Sequence, residues 1–333
     1  MFSWGVTVQP REVIVVEITR RTLLETSAVG VLAAGAGGGA AESALAQPAR
    51  AGEGARQRLL LDFDWRFALG HASDVARDFG FGENQRTFAK QGTRVAAAAA
   101  EDFDDTAWRA IRLPHDWAVE LPFAPSRDRD PSAPDDPRAE HGFKPLGRDY
   151  PDTSVGWYRK SFDLPESDLG KRLSLEFDGV FRDCLVIFNG YIVARNESGY
   201  APFSVDVTDF ANYGAKNTIT LRVDATLGEG WFYEGAGVYR HVWLVKTDPL
   251  HIPQWGVKVT STPAPGGRAL IVVNMDVAHA GDGTRDFTIE AIVRDARGVE
   301  QARMRGEGSG AGRSHVPANA GGRPHDGAFV VSR

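Results

Sequence analysis

Short runs of alternating apolar and polar residues recur along most of this chain. Leu173, Leu175 and Phe177 alternate with Ser174, Glu176 and Asp178; Phe203, Val205 and Val207 alternate with Ser204 and Asp206. Ile219, Leu221 and Val223 alternate with Thr220 and Arg222, and Val238, Arg240, Val242 and Leu244 close the set. A period of two predicts strands with one buried and one wet face. Cys184 to Phe188 is instead apolar throughout, as in a central strand, and Asn189-Gly190 behind it is a two-residue hairpin turn returning through Tyr191-Ile192-Val193. Leu59 to Phe67 reads as an opening strand and bend, and Gly156 to Phe162 as an aromatic strand. Helical signals are few, with one brief turn or helix expected near Val95 to Ala100. Prolines between Leu121 and Pro151 rule out a regular element there and predict a long surface loop. Many short strands with turns between them indicate an all-β fold, and two sheets with long connections suit a jelly roll over residues 58–249.

A second, smaller sandwich is expected over residues 250–333. Pro249 to Pro253 reads as a linker. Beyond it Val257 and Val259, then Ile271, Val273, Met275 and Val277, then Phe287, Ile289 and Ala291 each mark one face of a strand. Gly281-Asp282-Gly283 is a turn between two of them. Arg303 to Gly327, rich in Gly, Pro and Arg, reads as a loose tail, with Phe329-Val330-Val331 as one more strand.

Composition narrows the function classes. At 333 residues, 42% hydrophobic and 25% charged, the chain is an ordinary soluble protein of about two domains. A net charge of -6 argues against a nucleic-acid partner, which selects a basic surface. The single cysteine, Cys184, excludes an intrachain disulfide and lies in an apolar run, where a buried hydrophobe is expected. No Cys-pair or HExxH zinc motif occurs, and no cofactor motif is evident. Residues 1–46 read as an export signal. Arg20-Arg21 precede a mildly apolar Ala/Gly stretch and a small-x-small cleavage pattern at Ala44 and Ala46, the order of a twin-arginine signal. A periplasmic or secreted bacterial protein is the expectation, with residues 47–57 as a linker and no membrane partner after cleavage.

The candidate chemistry lies in Gly228 to Leu244. Between Trp231 and Arg240 it holds four aromatic residues, one acid and two glycines. Aromatic faces stack on the C–H face of a pyranose, and Glu or Arg can fork onto its hydroxyls. A buried hairpin corner with core aromatics is the competing reading.

Five segments carry a resemblance: Leu113-Pro114-His115-Asp116-Trp117, Gly156 to Phe162, Phe177-Asp178-Gly179-Val180, Val186 to Gly190, and Gly235 to Leu244. Occurring in this order, they resemble the N-terminal sugar-binding domain of family 2 glycoside hydrolases, most closely the bacterial β-galactosidase branch. The resemblance implies a jelly roll, an immunoglobulin-like domain, and a (β/α)₈ barrel carrying both catalytic glutamates of a retaining β-glycosidase. It implies that Trp231, Tyr233 and Glu234 help wall the sugar subsite, although better-known galactosidases place an acid where Trp231 falls. It implies a contact near the barrel mouth for His115 and Asp116. Their bland reading is a turn in which Asp116 bonds its own backbone, and that of Arg240 is an ion pair inside the sandwich. A barrel needs about 250 residues, and this sequence shows none and no credible carboxylate pair. No catalytic residue and no metal ligand is therefore assigned, and this chain is expected to be inactive alone. The expected partners are a β-linked sugar, a galactoside by preference, and a barrel in the same or a separate chain. A freestanding carbohydrate-binding module and a scaffold that docks a barrel chain are the alternatives; glucuronide and mannoside specificities also remain open.

Overall fold

The computed structural model describes residues 5–8, 12–19, 56–82, 97–121, 154–226, 235–264, 268–295, 297–311, 314–319 and 328–331. Nineteen strands are present among them: β1 (Gly5–Val8), β2 (Glu12–Thr19), β3 (Gln57–Leu60), β4 (Trp65–Leu69), β5 (Arg109–Ile111), β6 (Val155–Asp163), β7 (Arg172–Phe177), β8 (Cys184–Phe188), β9 (Tyr191–Asn196), β10 (Phe203–Asp206), β11 (Lys216–Asp224), β12 (Val242–Thr247), β13 (Leu250–His251), β14 (Val257–Ala264), β15 (Arg268–His279), β16 (Thr284–Arg294), β17 (Glu300–Ala311), β18 (Ser314–Asn319) and β19 (Ala328–Val331). Only 3₁₀ turns interrupt them, one at Ala97–Ala99 and another at Trp117–Glu120. The chain divides into two compact units, Arg58–Lys246 and a second made of Met1–Gln57 with Thr247–Arg333.

The first unit is a jelly-roll sandwich. One sheet runs in the order β10-β7-β12-β3 and the other β5-β4-β6-β11-β8-β9. The alternating residues meet between them. Leu173, Leu175, Phe177 and Val205 from one side face Ile219, Leu221, Val223, Val186 and Phe188 from the other. The six-stranded sheet is buried on its outer face as well, where Val155, Trp157 and Ile187 pack against Ala98, Ala99 and Trp108. This double cover is why Cys184 to Phe188 is apolar without alternation. The Asn189-Gly190 turn joins β8 to β9, with φ of 50° and 81°, the left-handed pair that such a turn requires. Val238 and Arg240 do not extend a strand. Residues 235–241 are irregular apart from one bridge between Gly237 and Phe181, and β12 starts at Val242.

The second unit is also a sandwich. Its sheets are β1-β2-β16-β17 and a five-stranded sheet in which β15 pairs with β13, β14, β18 and β19. Ile271, Val273, Met275 and Val277 of β15 meet Phe287, Ile289, Ala291 and Val293 of β16 in its core. Three features differ from the sequence expectation. Leu250–His251 is a strand rather than linker, because Leu250 and Ile252 are both drawn into this core. The described part of the Arg303 to Gly327 stretch is strand: β17 runs twelve residues beside β16 and β18 follows it, while 312–313 and 320–327 lie outside the described residues. The ring of Phe287 lies over Gly308, where a Cβ would come within 2.5 Å of it, so the glycine makes room for the core. Finally, Val13-Ile14-Val15-Val16 lies in β2, parallel to β16, in a region read from sequence as part of the export signal. Its β-branched run carries strand propensity. Arg20, Arg21, Ala44 and Ala46 lie outside the described residues.

Candidate functional site

The Leu-Pro-His-Asp-Trp segment forms a clamp at one end of the jelly roll. After β5 the chain turns and enters the 3₁₀ turn Trp117–Glu120, whose cap is Asp116. The Asp116 carboxylate accepts from the Ala118 amide, as an Asx turn does, at 2.9 Å. The same oxygen accepts from the amide of Ala236, 120 residues later, also at 2.9 Å. Backbone bonds run alongside: His115 N–H to Val238 and Trp117 N–H to Ala236. Trp117 Nε1 donates to the Ser154 hydroxyl at 2.6 Å, and the Ala225 amide donates to the Ser154 carbonyl. Ser154, Ala225 and Ala236 are all buried. The clamp therefore gathers the chain on both sides of 227–234, together with Leu121 and Ser154 on either side of 122–153. Trp231, Tyr233 and Glu234 lie outside the described residues.

His115 is the polar centre of the clamp and only 7% exposed. Its Nδ1 lies 2.7 Å from the Tyr158 hydroxyl. Its Nε2 lies 3.2 Å from Glu120 Oε1 and 3.0 Å from Arg109 Nη2, and Arg109 also pairs with Glu120 at 2.5 Å. The Val238 amide bonds the Tyr158 oxygen. The hydroxyl thus lies between the Val238 amide and Nδ1, while Nε2 faces both Arg109 and Glu120. Burial holds the His115 pKa below the ordinary imidazole range; Glu120 opposes this and Arg109 adds to it. Burial likewise raises Tyr158 well above its usual value. The pair is thus kept neutral. Gly237 completes the fit: it sits at φ +120°, and a Cβ there would lie 2.3 Å from the Tyr158 oxygen and 2.8 Å from the His115 carbonyl.

Two of the residues chosen from sequence, His115 and Asp116, are thus brought together as neighbours that fasten backbone. Both parts of the Asx-turn reading of Asp116 are present, and a long-range bond is added to it. Tyr158, Ser154, Arg109 and Glu120 complete the clamp. Tyr158 was visible in an aromatic motif, whereas nothing near Arg109 or Glu120 marks them. A cavity of about 440 Å³ opens beside the Arg109–Glu120 pair, with Phe67, Trp108 and Trp117 in its wall. A second, of about 480 Å³, is lined by Pro114, Asp178, Pro202, Tyr239, Arg240 and His241. Arg240 was expected inside the sandwich, paired with an acid. It is instead exposed, with its guanidinium over the Tyr239 ring. Cys184 is buried, and burial raises its thiol far from the reactive range. Among the described residues no cluster of His, Cys, Asp and Glu has metal-holding geometry.

Residues 143–248 match the sugar binding domain of glycosyl hydrolases family 2. The chain resembles the N-terminal part of family 2 glycoside hydrolases. A beta-galactosidase of Bacteroides ovatus is 32% identical over 254 residues, covering 76% of this chain and 25% of that protein. A beta-glucuronidase of Formosa agariphila is 31% identical over 164 residues, covering 45% of this chain and 15% of its own length. A family 2 structure from Bacteroides cellulosilyticus superposes with a TM-score of 0.60 at 25% identity, over 83% of this chain and 31% of that one. The chain spans about a quarter or less of these curated relatives. Its jelly roll resembles the family 2 sugar-binding domain, and the relatives carry both galactosidase and glucuronidase names.

Proposed function

We propose that this chain is the N-terminal, non-catalytic part of a family 2 retaining β-glycosidase that acts on β-galactosides. In this reading Trp231, Tyr233 and Glu234 wall one side of the sugar subsite, and the clamp at His115 and Asp116 holds Ala236 and Val238 just after them. The two catalytic carboxyl groups, which retention needs about 5–5.5 Å apart, belong to a barrel outside this sequence. The observation that carries the galactoside preference is the Bacteroides ovatus match, at 32% identity over 76% of the chain. The Formosa agariphila glucuronidases cover 59% and 45% of it. The N-terminal arginines support export by the twin-arginine route.

Assays with 4-nitrophenyl glycosides test the proposal. The 333-residue chain is expected to turn over none of them, and the full coding region to cleave the galactoside faster than the glucuronide. Turnover of the galactoside by the chain alone would overturn the placing of the carboxylates. Preferential glucuronide cleavage by the full protein would overturn the substrate.

A further inference from the structure

We propose that Arg240 and His241 form a binding site for the acidic group of a saccharide, a uronate carboxylate or a sulfate ester. The site is the second cavity of the jelly roll, which shares no lining residue with the one beside Arg109 and Glu120. It is an open concavity of about 480 Å³ at the protein surface.

The cationic side is built rather than incidental. Asp178 lines the cavity but is already engaged, receiving Trp243 Nε1 at 2.9 Å and Arg58 at 3.4 Å. It is therefore not the partner of Arg240, whose guanidinium makes no ion pair among the described residues and stands over the Tyr239 ring at 5.4 Å. That ring is itself fixed, because its hydroxyl donates to the Gly199 carbonyl at 2.8 Å. Gly179 cradles both side chains: a Cβ there would lie 2.8 Å from the Tyr239 ring and 3.0 Å from Arg240 Cδ. An arginine held on an aromatic face, with no ion pair to a described residue, is matched to a planar or tetrahedral oxyanion.

His241 supplies the second contact. Its Nδ1 lies 2.6 Å from the carboxylate of buried Asp62, which also accepts from the Val242 amide. The ring is oriented by that bond, and Nε2 is its remaining polar atom, on a side chain that is half exposed. Pro114 and Pro202 give the cavity apolar walls against which the C–H face of a sugar can lie. The choice of a saccharide as carrier of the acid rests on the sugar-binding reading above; the oxyanion chemistry does not.

The test is titration of the 333-residue chain with D-glucuronate, D-galactose 6-sulfate, D-galactose and inorganic sulfate, followed by chemical-shift changes. At least one acidic sugar is expected to bind about tenfold more tightly than galactose and than sulfate. Arg240→Gln should remove that advantage, Arg240→Lys should keep only part of it, and Gly179→Ala should weaken it by displacing the stacked pair. Arg240 is exposed, so Arg240→Gln is read against an unchanged unfolding midpoint even if Gly179→Ala fails to fold. Unchanged binding in Arg240→Gln overturns the site. Sulfate binding as tightly as the sulfated sugar overturns the saccharide. A chain that binds the acidic sugars but not galactose leaves this site standing and counts against the galactoside reading alone.

Discussion

Gly237 shows why a glycine inside a sugar-family motif can be structural. Its positive φ and the Tyr158 hydroxyl within 2.3 Å of any Cβ leave no space for a side chain. Gly237→Ala adds overpacking and backbone strain, and is expected to lower the unfolding free energy by about 3 kcal/mol, read by urea denaturation. A loss below the scatter of such measurements would mean that the clamp yields. His115 makes a second prediction. In the unfolded chain it takes up a proton near pH 6.5, whereas burial holds its folded pKa lower. Between those values the unfolded state binds more protons, so stability falls as pH drops through that window and stops falling below the folded pKa. Denaturation between pH 7.5 and 5 should therefore show a slope that His115→Asn flattens. An equal slope in both proteins would remove His115 as its source. What sequence revealed at this scale is partial. The Asx turn of Asp116 follows from residue type, because its acceptor and the Ala118 amide are two residues apart. The bond to Ala236 spans 120 residues, and no local pattern encodes it.

Elements were legible where apolar side chains themselves marked the buried positions. β7 and β11 follow from alternation, β8 from its unbroken apolar run, and the β8–β9 hairpin from Asn189-Gly190. β17 was missed although it alternates too. Ala302, Met304, Gly306, Gly308 and Gly310 turn inward while Arg303, Arg305, Glu307 and Ser309 are exposed. Glycine on the inner face carries no hydrophobic signal, so the period is masked, and the bulk that fills the gap comes from Phe287 on the neighbouring strand. The outer cover of the six-stranded sheet was equally invisible, because it depends on one buried cation. Arg159 on β6, 2% exposed, pairs with Asp105 at 3.0 Å and donates to the carbonyls of Ala98 and Ala100 and to Thr220. Removing it leaves those acceptors without their donor. Arg159→Met is expected to cost about 3 kcal/mol and to speed proteolysis between residues 97 and 108. Stability within 1 kcal/mol of wild type would show that apolar packing of Trp108 alone holds the cover.

At the scale of the whole molecule, each unit closes a core on its own residues, Leu61 to Leu244 in the first and, among the described residues, Leu250 to Met304 in the second. This bears on the N-terminus, where two readings compete. Cleavage after Ala46 would remove β2, which borders β16 in the second unit, and β1 on its far side. The described core of that unit draws on β13, β15, β16 and β17, which all lie after Ala46. A chain beginning at Gln47 is therefore expected to keep both cores and to unfold cooperatively. The cost would be an unpaired β16 edge and a greater tendency to self-associate. Amide chemical-shift dispersion for residues 250–311, compared between the full and the shortened chain, decides the matter. If dispersion is kept, the strand β2 is dispensable and maturation by cleavage is compatible with the fold. If those residues collapse to unfolded shifts, β2 is an integral strand. The arginine pair would then have to be read as part of the folded chain rather than as an address.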